Sequence, residues 1–545
     1  MFASECMHLQ MSIRIPSMIP FNPTEYPIHH WTVRKPAVES ARGVVASQAY
    51  DASAAGTSIL EAGGNAVDAA VATAFALAAV EPWNSGLGGI GFALVHKSDE
   101  GRAHSVHFGP VAPSRISPGF FPLTGKPGND LFPWPQVNDD ANAHGPLSFC
   151  LPTAVAGYGL MLERWGTMPI KEVVAPAIAL AKRGLSLDWF TTLMLAQAAP
   201  LLRKYQTSSQ IFLKDGLPPV PPYQGTPGFM SLGQLPATLE QIGRGGWRDF
   251  YEGAIAQSVV ADIASLGGLI DADELRLYRP DVHAPIAVPW HGSTIQLSSG
   301  LNAGPTLAHL FDLLSRGAAK SPAQDTPSGE WYADLARAMR AAYAHRLETV
   351  GDVEPKEQGC TSHLSVCDAS GSMVSMTTTL LSSMGSRVTL PNTGLVMNNG
   401  ILWFDPRPGN VNSVGPSKRP LTNMCPAIVS RDGTPTLAAG AAGGRRIMAA
   451  VAQILLLVHD FDMNVEEAGH WPRIDVSGPD MVTADRRFDT KILEALRAAG
   501  PLEVVDHNVL PINFARPSIV DRRSGDVARG ISDAYSPWSA ALGAR

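Results

Sequence analysis

Between Lys356 and Leu380 the chain reads KEQGCTSHLSVCDASGSMVSMTTTL, which gathers many hydroxyls around one histidine. Thr361 follows Cys360 and precedes Ser362 and His363, and a second cluster, Thr377 to Thr379, returns within the reach of one short hairpin. A hydroxyl or thiol beside a base is the composition of a nucleophilic site, because Ser, Thr and Cys need an adjacent base or a lowered pKa to attack a carbonyl. Three readings stand at this point. Thr361 is a nucleophile, Cys360 is one with the intrinsically stronger thiol, or the threonines are simply good strand formers and His363 is a packed, hydrogen-bonded histidine. The five cysteines, Cys6, Cys150, Cys360, Cys367 and Cys425, show neither CxxC spacing nor a His-rich companion motif, so neither a zinc site nor a disulfide framework is expected.

Positioning such a group takes a rigid frame. Small, polar and β-branched residues alternate around Asp-Ala-Ser-Gly from Ser362 to Leu380, and this predicts a hairpin. TGLVMNN, CPAIVSRDGTPTLAAG, IDVSG and ARPSIVDRRSGDVARGIS supply further strand candidates. Upstream, the run from Gly43 to Val95 reads as strand, helix, Gly63-Gly64 stop, alanine-rich helix, glycine loop and strand, with Asn65 placed to cap the second helix. That helix is apolar nearly all round, hence buried. Further helices are predicted after Pro152 and Pro169, over WRDFYEGAIAQSVVADIASLGG, SGEWYADLARAMRAAYAHRLETVG, RRIMAAVAQILLLVHDF and DTKILEALRAAG. The pattern is α/β with a strand-rich final third, which suits helices layered outside stacked sheets. Residues 1 to 40, with several prolines and no sustained period, read as a poorly ordered lead-in.

Length and composition narrow the class. With 545 residues, 45% hydrophobic and 17% charged, the chain has the makeup of a globular, enzyme-sized protein. A net charge of -7 gives no reason to expect nucleic acid as a partner. The longest apolar run, AVDAAVATAFALAAV, contains Asp68 and is too short to span a bilayer, so no membrane association is expected. The first thirty residues lack a continuous apolar core for a secretory signal, which points to the cytoplasm and leaves the periplasm open.

Taken in order, GGNAVDAAVATAFALAAVEP, GLGGIGF, PTAVAGYG, FYEGAIA, GGLIDADELRLYRP, AYAHR, TSHLSV, KRPLTNMCPAIV and AAGGRRI resemble the γ-glutamyltranspeptidase family from about Gly43 to the end of the chain. The resemblance implies the αββα sandwich of N-terminal-nucleophile hydrolases. It also implies that the chain cuts its own backbone before Thr361. Residues 41–360 would then form a large fragment and 361–545 a small one, associated as a heterodimer. The freed α-amino group, with a pKa near 8, would take the proton from the hydroxyl of the same residue. By the same resemblance Thr379 is expected to support the nucleophile, and Gly443 and Gly444 to present the backbone N–H groups of an oxyanion hole. No metal or organic cofactor is implied.

The specificity positions depart from that pattern. Gly109, in HFGP, stands where the family has a carboxylate-binding arginine, and Leu381 replaces an asparagine. Gly400 and Trp403 replace a glutamine and an aspartate that meet the ammonium, and Thr422 and Asn423 replace a serine pair. Each lost charge-assisted hydrogen bond is worth about 1.5 to 3 kcal/mol, so selectivity for a γ-glutamyl group should largely disappear. Leu381 and Trp403 suggest a more apolar pocket, and Arg445 is a candidate anchor for a carboxylate, as well as for a structural ion pair. The interval from Phe404 to Arg419 is short for a covering lid, which favours water as acceptor. The expected activity is cleavage of a small-molecule amide through an acyl-enzyme, by an amidase or acylase similar to the cephalosporin-acylase-like and oxamate-amidohydrolase-like relatives. The alternatives are γ-glutamyl transfer or glutathione hydrolysis, and an unprocessed relative that binds a ligand without catalysis.

Overall fold

The structure of the protein, a computed structural model, describes residues 33–128, 132, 134–316, 326–350, 360–478, 481–523 and 525–545. Residues 35–545 form one unit. Its first strands are β1 (Val38–Ser40), β2 (Gly43–Ser47), β3 (Ile90–Lys97), β4 (Arg102–Phe108), β5 (Asp281–His283), β6 (Ile286–Trp290) and β7 (Ser293–Leu297). The final third adds β8 (Cys360–Asp368), β9 (Met373–Leu381), β10 (Ala427–Arg431), β11 (Thr434–Ala442), β12 (Arg516–Asp521), β13 (Ala528–Ser532) and β14 (Ala540–Gly543). They build two seven-stranded sheets, in the orders β14-β2-β8-β9-β3-β4-β5 and β1-β13-β12-β11-β10-β7-β6. Every pairing within them is antiparallel.

Alternation of side chains explains how the sheets stack. Along β8, Leu364 and Val366 join a hydrophobic core shared with α1 (Tyr50–Glu61), α2 (Ala66–Val80), α3 (Ala154–Trp165) and α4 (Ile170–Arg183). The residues between them face the other way, as a strand of period two requires. His363 lies against Gly440 of β11, where a Cβ atom would sit 2.2 Å from its ring, and Ser365 Oγ donates to the Ser518 carbonyl at 3.0 Å. Small residues such as Val44, Ala46, Ala438 and Ala541 let the two sheets approach. On the far side of the second sheet, α5 (Gly304–Arg316), α6 (Gly329–Val350) and α7 (Arg446–Asp460) enclose another core. The layers are helix, sheet, sheet, helix, as expected.

All of α2 is buried, and its start is fixed by a capping box in which the Asn65 side chain accepts from the Val67 and Asp68 amides. The expected hairpin is β8 and β9, turning through residues 369–372. Two expectations differ. TGLVMNN makes only isolated bridges, Thr389 with Val396 and Gly88 with Met397. Its asparagines explain this: Asn398 accepts from the Cys150 and Gly400 amides and donates to the Gly88 and Cys150 carbonyls, tying loops together where a strand would pair. Val38–Ser40, at the end of the expected lead-in, instead forms edge strand β1 against β13; residues 1–32 lie outside the described residues.

Candidate active site

Thr361 lies near the start of β8, at an irregularity in its pairing with β9. Cys360 is opposite Leu381 and Ser362 opposite Thr378, so Thr379 and Leu380 share the place facing Thr361. The extra residue bends β9 locally, and Leu381 takes a φ of +82°, in the left-handed region a leucine seldom adopts. This kink turns Thr379 onto the backbone of the neighbouring strand. Its Oγ1 donates to the Cys360 carbonyl at 2.5 Å and accepts from the Leu381 amide at 2.8 Å and the Thr361 hydroxyl at 3.4 Å. The Cys360 carbonyl is therefore polarised by a hydroxyl that is itself polarised by a backbone N–H. Both threonines are buried.

Stacking of the sheets fixes where the glycine pair comes. Ser375, opposite Ser365, donates to the Ala439 carbonyl, and His363, opposite Thr377, lies on Gly440. Arg516, which pairs opposite Ala442 just before Gly443, faces Cys360, and this brings the end of β11 toward the start of the hairpin. Gly443 (φ +145°) and Gly444 (φ +62°) both lie in the left-handed region, in the turn between the end of β11 at Ala442 and the start of α7.

The two rival groups beside Thr361 are not poised for chemistry. Burial pushes the Cys360 thiol up to about 11, the opposite of an activated thiolate. His363 is fully buried, with Nδ1 2.9 Å from Thr377 Oγ1 and Nε2 3.1 Å from Ser365 Oγ, and burial brings it down to about 3. It stays neutral between two hydroxyls and braces the sheets.

Leu381 and Trp403 come together in one buried cluster with Ile90, Phe92, Phe132, Trp134, Leu402 and Met424. Gly109 contributes differently. A Cβ there would meet the Phe92 ring at 2.6 Å, so the space of an arginine at this position is filled by an aromatic ring from the adjacent strand. The space beside Gly400 is equally filled, for a Cβ on that residue would lie 2.8 Å from the Cys150 side chain. Trp134 Nε1 donates to the Leu402 carbonyl at 2.9 Å, whereas Trp403 Nε1, buried in the same cluster, has no hydrogen-bond partner among the described residues.

Thr422 and Asn423 are held by a residue that sequence reasoning did not single out. Arg346 of α6, buried, donates to the Thr422 carbonyl at 2.6 Å and to Asn423 Oδ1 at 3.3 Å, as well as to the Asn302 carbonyl and Thr306 Oγ1. It closes the AYAHR stretch, but nothing in that spacing reveals its role. The Thr422 hydroxyl is spent on the Leu301 carbonyl at 3.1 Å. Arg445 lies over the Tyr343 ring at 5.7 Å and, with Gly443, Arg446, Asp475 and Glu503, lines a cavity of about 180 Å3. The 404–419 loop is tied to itself, with Asp405 accepting from Arg407 and Asn410. Among the described residues no group of His, Cys, Asp or Glu side chains could hold a metal ion, and no helix is long and apolar enough to cross a membrane.

The family model described as gamma-glutamyltranspeptidase matches residues 52–358 and 353–541. The glutathione hydrolase proenzyme of Escherichia coli is 30% identical over 523 residues, covering 85% of this chain and 86% of its own. The acylase ACY 1 proenzyme of Pseudomonas sp. strain V22 is also 30% identical, over 504 residues, covering 86% of this chain and 88% of its own. Among solved structures, cephalosporin acylase from Bacillus halodurans superposes with a TM-score of 0.80 at 23% identity, covering 96% of this chain and 99% of that one, a likeness of fold.

Proposed function

The chain belongs to the γ-glutamyltranspeptidase family, enzymes that act on amides, and from that premise we propose that it is an N-terminal-threonine acylase made by its own cleavage before Thr361. The observation that carries this reading is the Thr379 hydroxyl, which donates to the Cys360 carbonyl at 2.5 Å while its oxygen lies 3.4 Å from the Thr361 hydroxyl. In the first reaction Thr361 Oγ1 adds to the Cys360 carbonyl carbon, the C–N bond to Thr361 breaks, and the nitrogen takes up the proton that the Thr361 hydroxyl gives up. Water then hydrolyses the ester, leaving a carboxylate on Cys360 and an amine on Thr361.

In turnover that amine takes the proton from Thr361 Oγ1 as the oxygen adds to the carbonyl of an amide substrate. Gly443 and Gly444 donate to the oxyanion, the leaving amine departs with the proton, and water releases the acid from the acyl-enzyme. An apolar acyl group, distinct from γ-glutamyl, is supported by the apolar cluster of Leu381, Trp403 and Phe92 beside Thr379 and by the ring that fills the place of the arginine at Gly109. Continued association of the two fragments is supported by sheet order, since residues before and after the cut interleave in both sheets.

The test is denaturing electrophoresis with N-terminal sequencing of the active protein, alongside Thr361→Ala. We expect two fragments, the smaller starting at Thr361, and a single inactive chain from the variant. An active, uncut parent, or a cleaved Thr361→Ala chain, would overturn the assignment. A panel of amides differing in acyl group, read by product mass, tests the pocket; γ-glutamyl anilide turned over faster than every apolar acyl anilide would refute it.

A further inference from the structure

Glu81 is a buried carboxylate that neither reaction above uses. It follows α2 directly, is only 2% exposed, and makes no ion pair among the described residues. Its Oε2 accepts from Ser362 Oγ at 2.7 Å, and Ser85 Oγ donates to Ser362 Oγ at 3.1 Å. Burial pushes Glu81 up to about 7, a rise limited by the bond from Ser362, the charge of Arg516 and a bond with the Asn84 side chain. Burying an unpaired carboxylate is costly, and one that titrates near neutrality beside a nucleophile suggests a function.

The direction of the peptide before Thr361 sets which edge of β8 its nitrogen faces. The Cys360 carbonyl points to β9, where Thr379 donates to it. A trans peptide directs its N–H the opposite way, so the Thr361 nitrogen faces the other edge of β8, past the point where pairing with β2 stops at Leu364 opposite Ser47. The charges that reach this part of the strand, at Cys360, are Arg387, Arg516 and Glu81. Arg516 begins β12 opposite Ala442, next to Gly443, and faces Asp533, Glu81 and Cys360. Asp533 in turn faces His507, Arg473, Arg516 and Lys35.

We propose that Glu81 is a positioning residue for the reacting amine: held by Ser362, it supplies the negative charge that balances Arg516 around the Thr361 nitrogen, and so sets the pH at which that amine can accept the hydroxyl proton. This rests on the reading of Thr361 as a cleaved N-terminal nucleophile. An ionised Glu81 favours the ammonium form and Arg516 disfavours it. Glu81→Gln keeps an acceptor for Ser362 and removes the negative charge. The amine then loses its proton at lower pH, and the acidic limb of kcat/KM moves down.

Cleavage and activity of the parent are established first; if either is absent, the N-terminal-nucleophile reading fails on its own. With both present, kcat/KM is measured from pH 5 to 9 for the parent, Glu81→Gln and Ser362→Ala, using the panel amide that the parent hydrolyses fastest. The midpoint of the Glu81→Gln limb is expected about one pH unit lower; because Glu81 is itself neutral well below 7, the gain is read at pH 7.5 relative to pH 9 and is about twofold, the two profiles converging toward pH 5.5. Ser362→Ala, which keeps the carboxylate but releases it, is expected to move the limb the same way by less. A limb of Glu81→Gln that stays in place, even with a lower plateau, or that moves up, overturns the proposal. Should Glu81→Gln remain uncut, Ser362→Ala decides by the same criterion.

Discussion

Replacing Thr379 by valine keeps the shape of the side chain and removes one oxygen, and that oxygen joins the Leu381 amide, the Thr361 hydroxyl and the Cys360 carbonyl. In the proposed cleavage the carbonyl is the group that would gain negative charge as Thr361 adds to it. Loss of one donor to such an oxyanion costs about 2.7 to 4 kcal/mol, or roughly 100- to 1000-fold in rate. The Leu381 amide, held at φ +82°, also loses its acceptor, and an unsatisfied buried N–H costs about 1 to 3 kcal/mol of stability. The assay is the disappearance of the full-length chain on denaturing gels, timed from purification, with thermal unfolding to confirm that the variant is folded. Thr379→Val is expected to convert over days where the parent converts during expression, and Thr379→Ser, which keeps the oxygen, to recover most of the rate. A folded Thr379→Val chain that cleaves within threefold of the parent would refute the polarising role of this hydroxyl.

Gly109→Arg places a long side chain where the Phe92 ring already lies; overpacking of this kind costs about 1 to 3 kcal/mol. A lower melting temperature and no gain in hydrolysis of γ-glutamyl anilide are expected, and a family-like γ-glutamyl rate would contradict the account of the pocket. His363 gives a dependence on pH. Its folded value of about 3 lies below the ordinary 6.5, so the unfolded chain binds a proton first as pH falls. The stability it contributes is complete above 6.5 and is lost toward 3, about 2 kcal/mol by pH 5. Urea midpoints measured at pH 7 and pH 5 should fall more steeply for the parent than for His363→Gln, and equal slopes would dismiss this residue as a source of acid lability.

The sequence carried the frame better than its fine contacts. Hairpin β8–β9 was visible because alternation of period two and a polar turn are local signals, and the capped, wholly apolar α2 was visible for the same reason. β1 was hidden because three residues are too few to show a period, and its partner, centred on Arg529, lies far along the chain. TGLVMNN looked like a strand because Leu395, Val396 and Met397 form a short apolar run, yet the binding capacity of Asn398 is satisfied by three separate segments. At the site, loss of the arginine at Gly109 could be read from the chain, but not that Phe92 fills its place, because that contact depends on the register of two strands. Arg346 and Glu81 lie within stretches that carried the family resemblance, AYAHR and AVEP, but each matters through the backbone or hydroxyl it meets after folding.

Interleaved strands have a consequence for how the mature protein would fail. In the first sheet β2 is followed by β8 and β9 and then by β3, so separating the fragments would tear central pairings, leaving raw edges on both pieces. Loss of activity on warming should therefore be a first-order process whose half-life is indifferent to dilution. A mixture of two variants, each broken in a different fragment, should regain nothing by exchange.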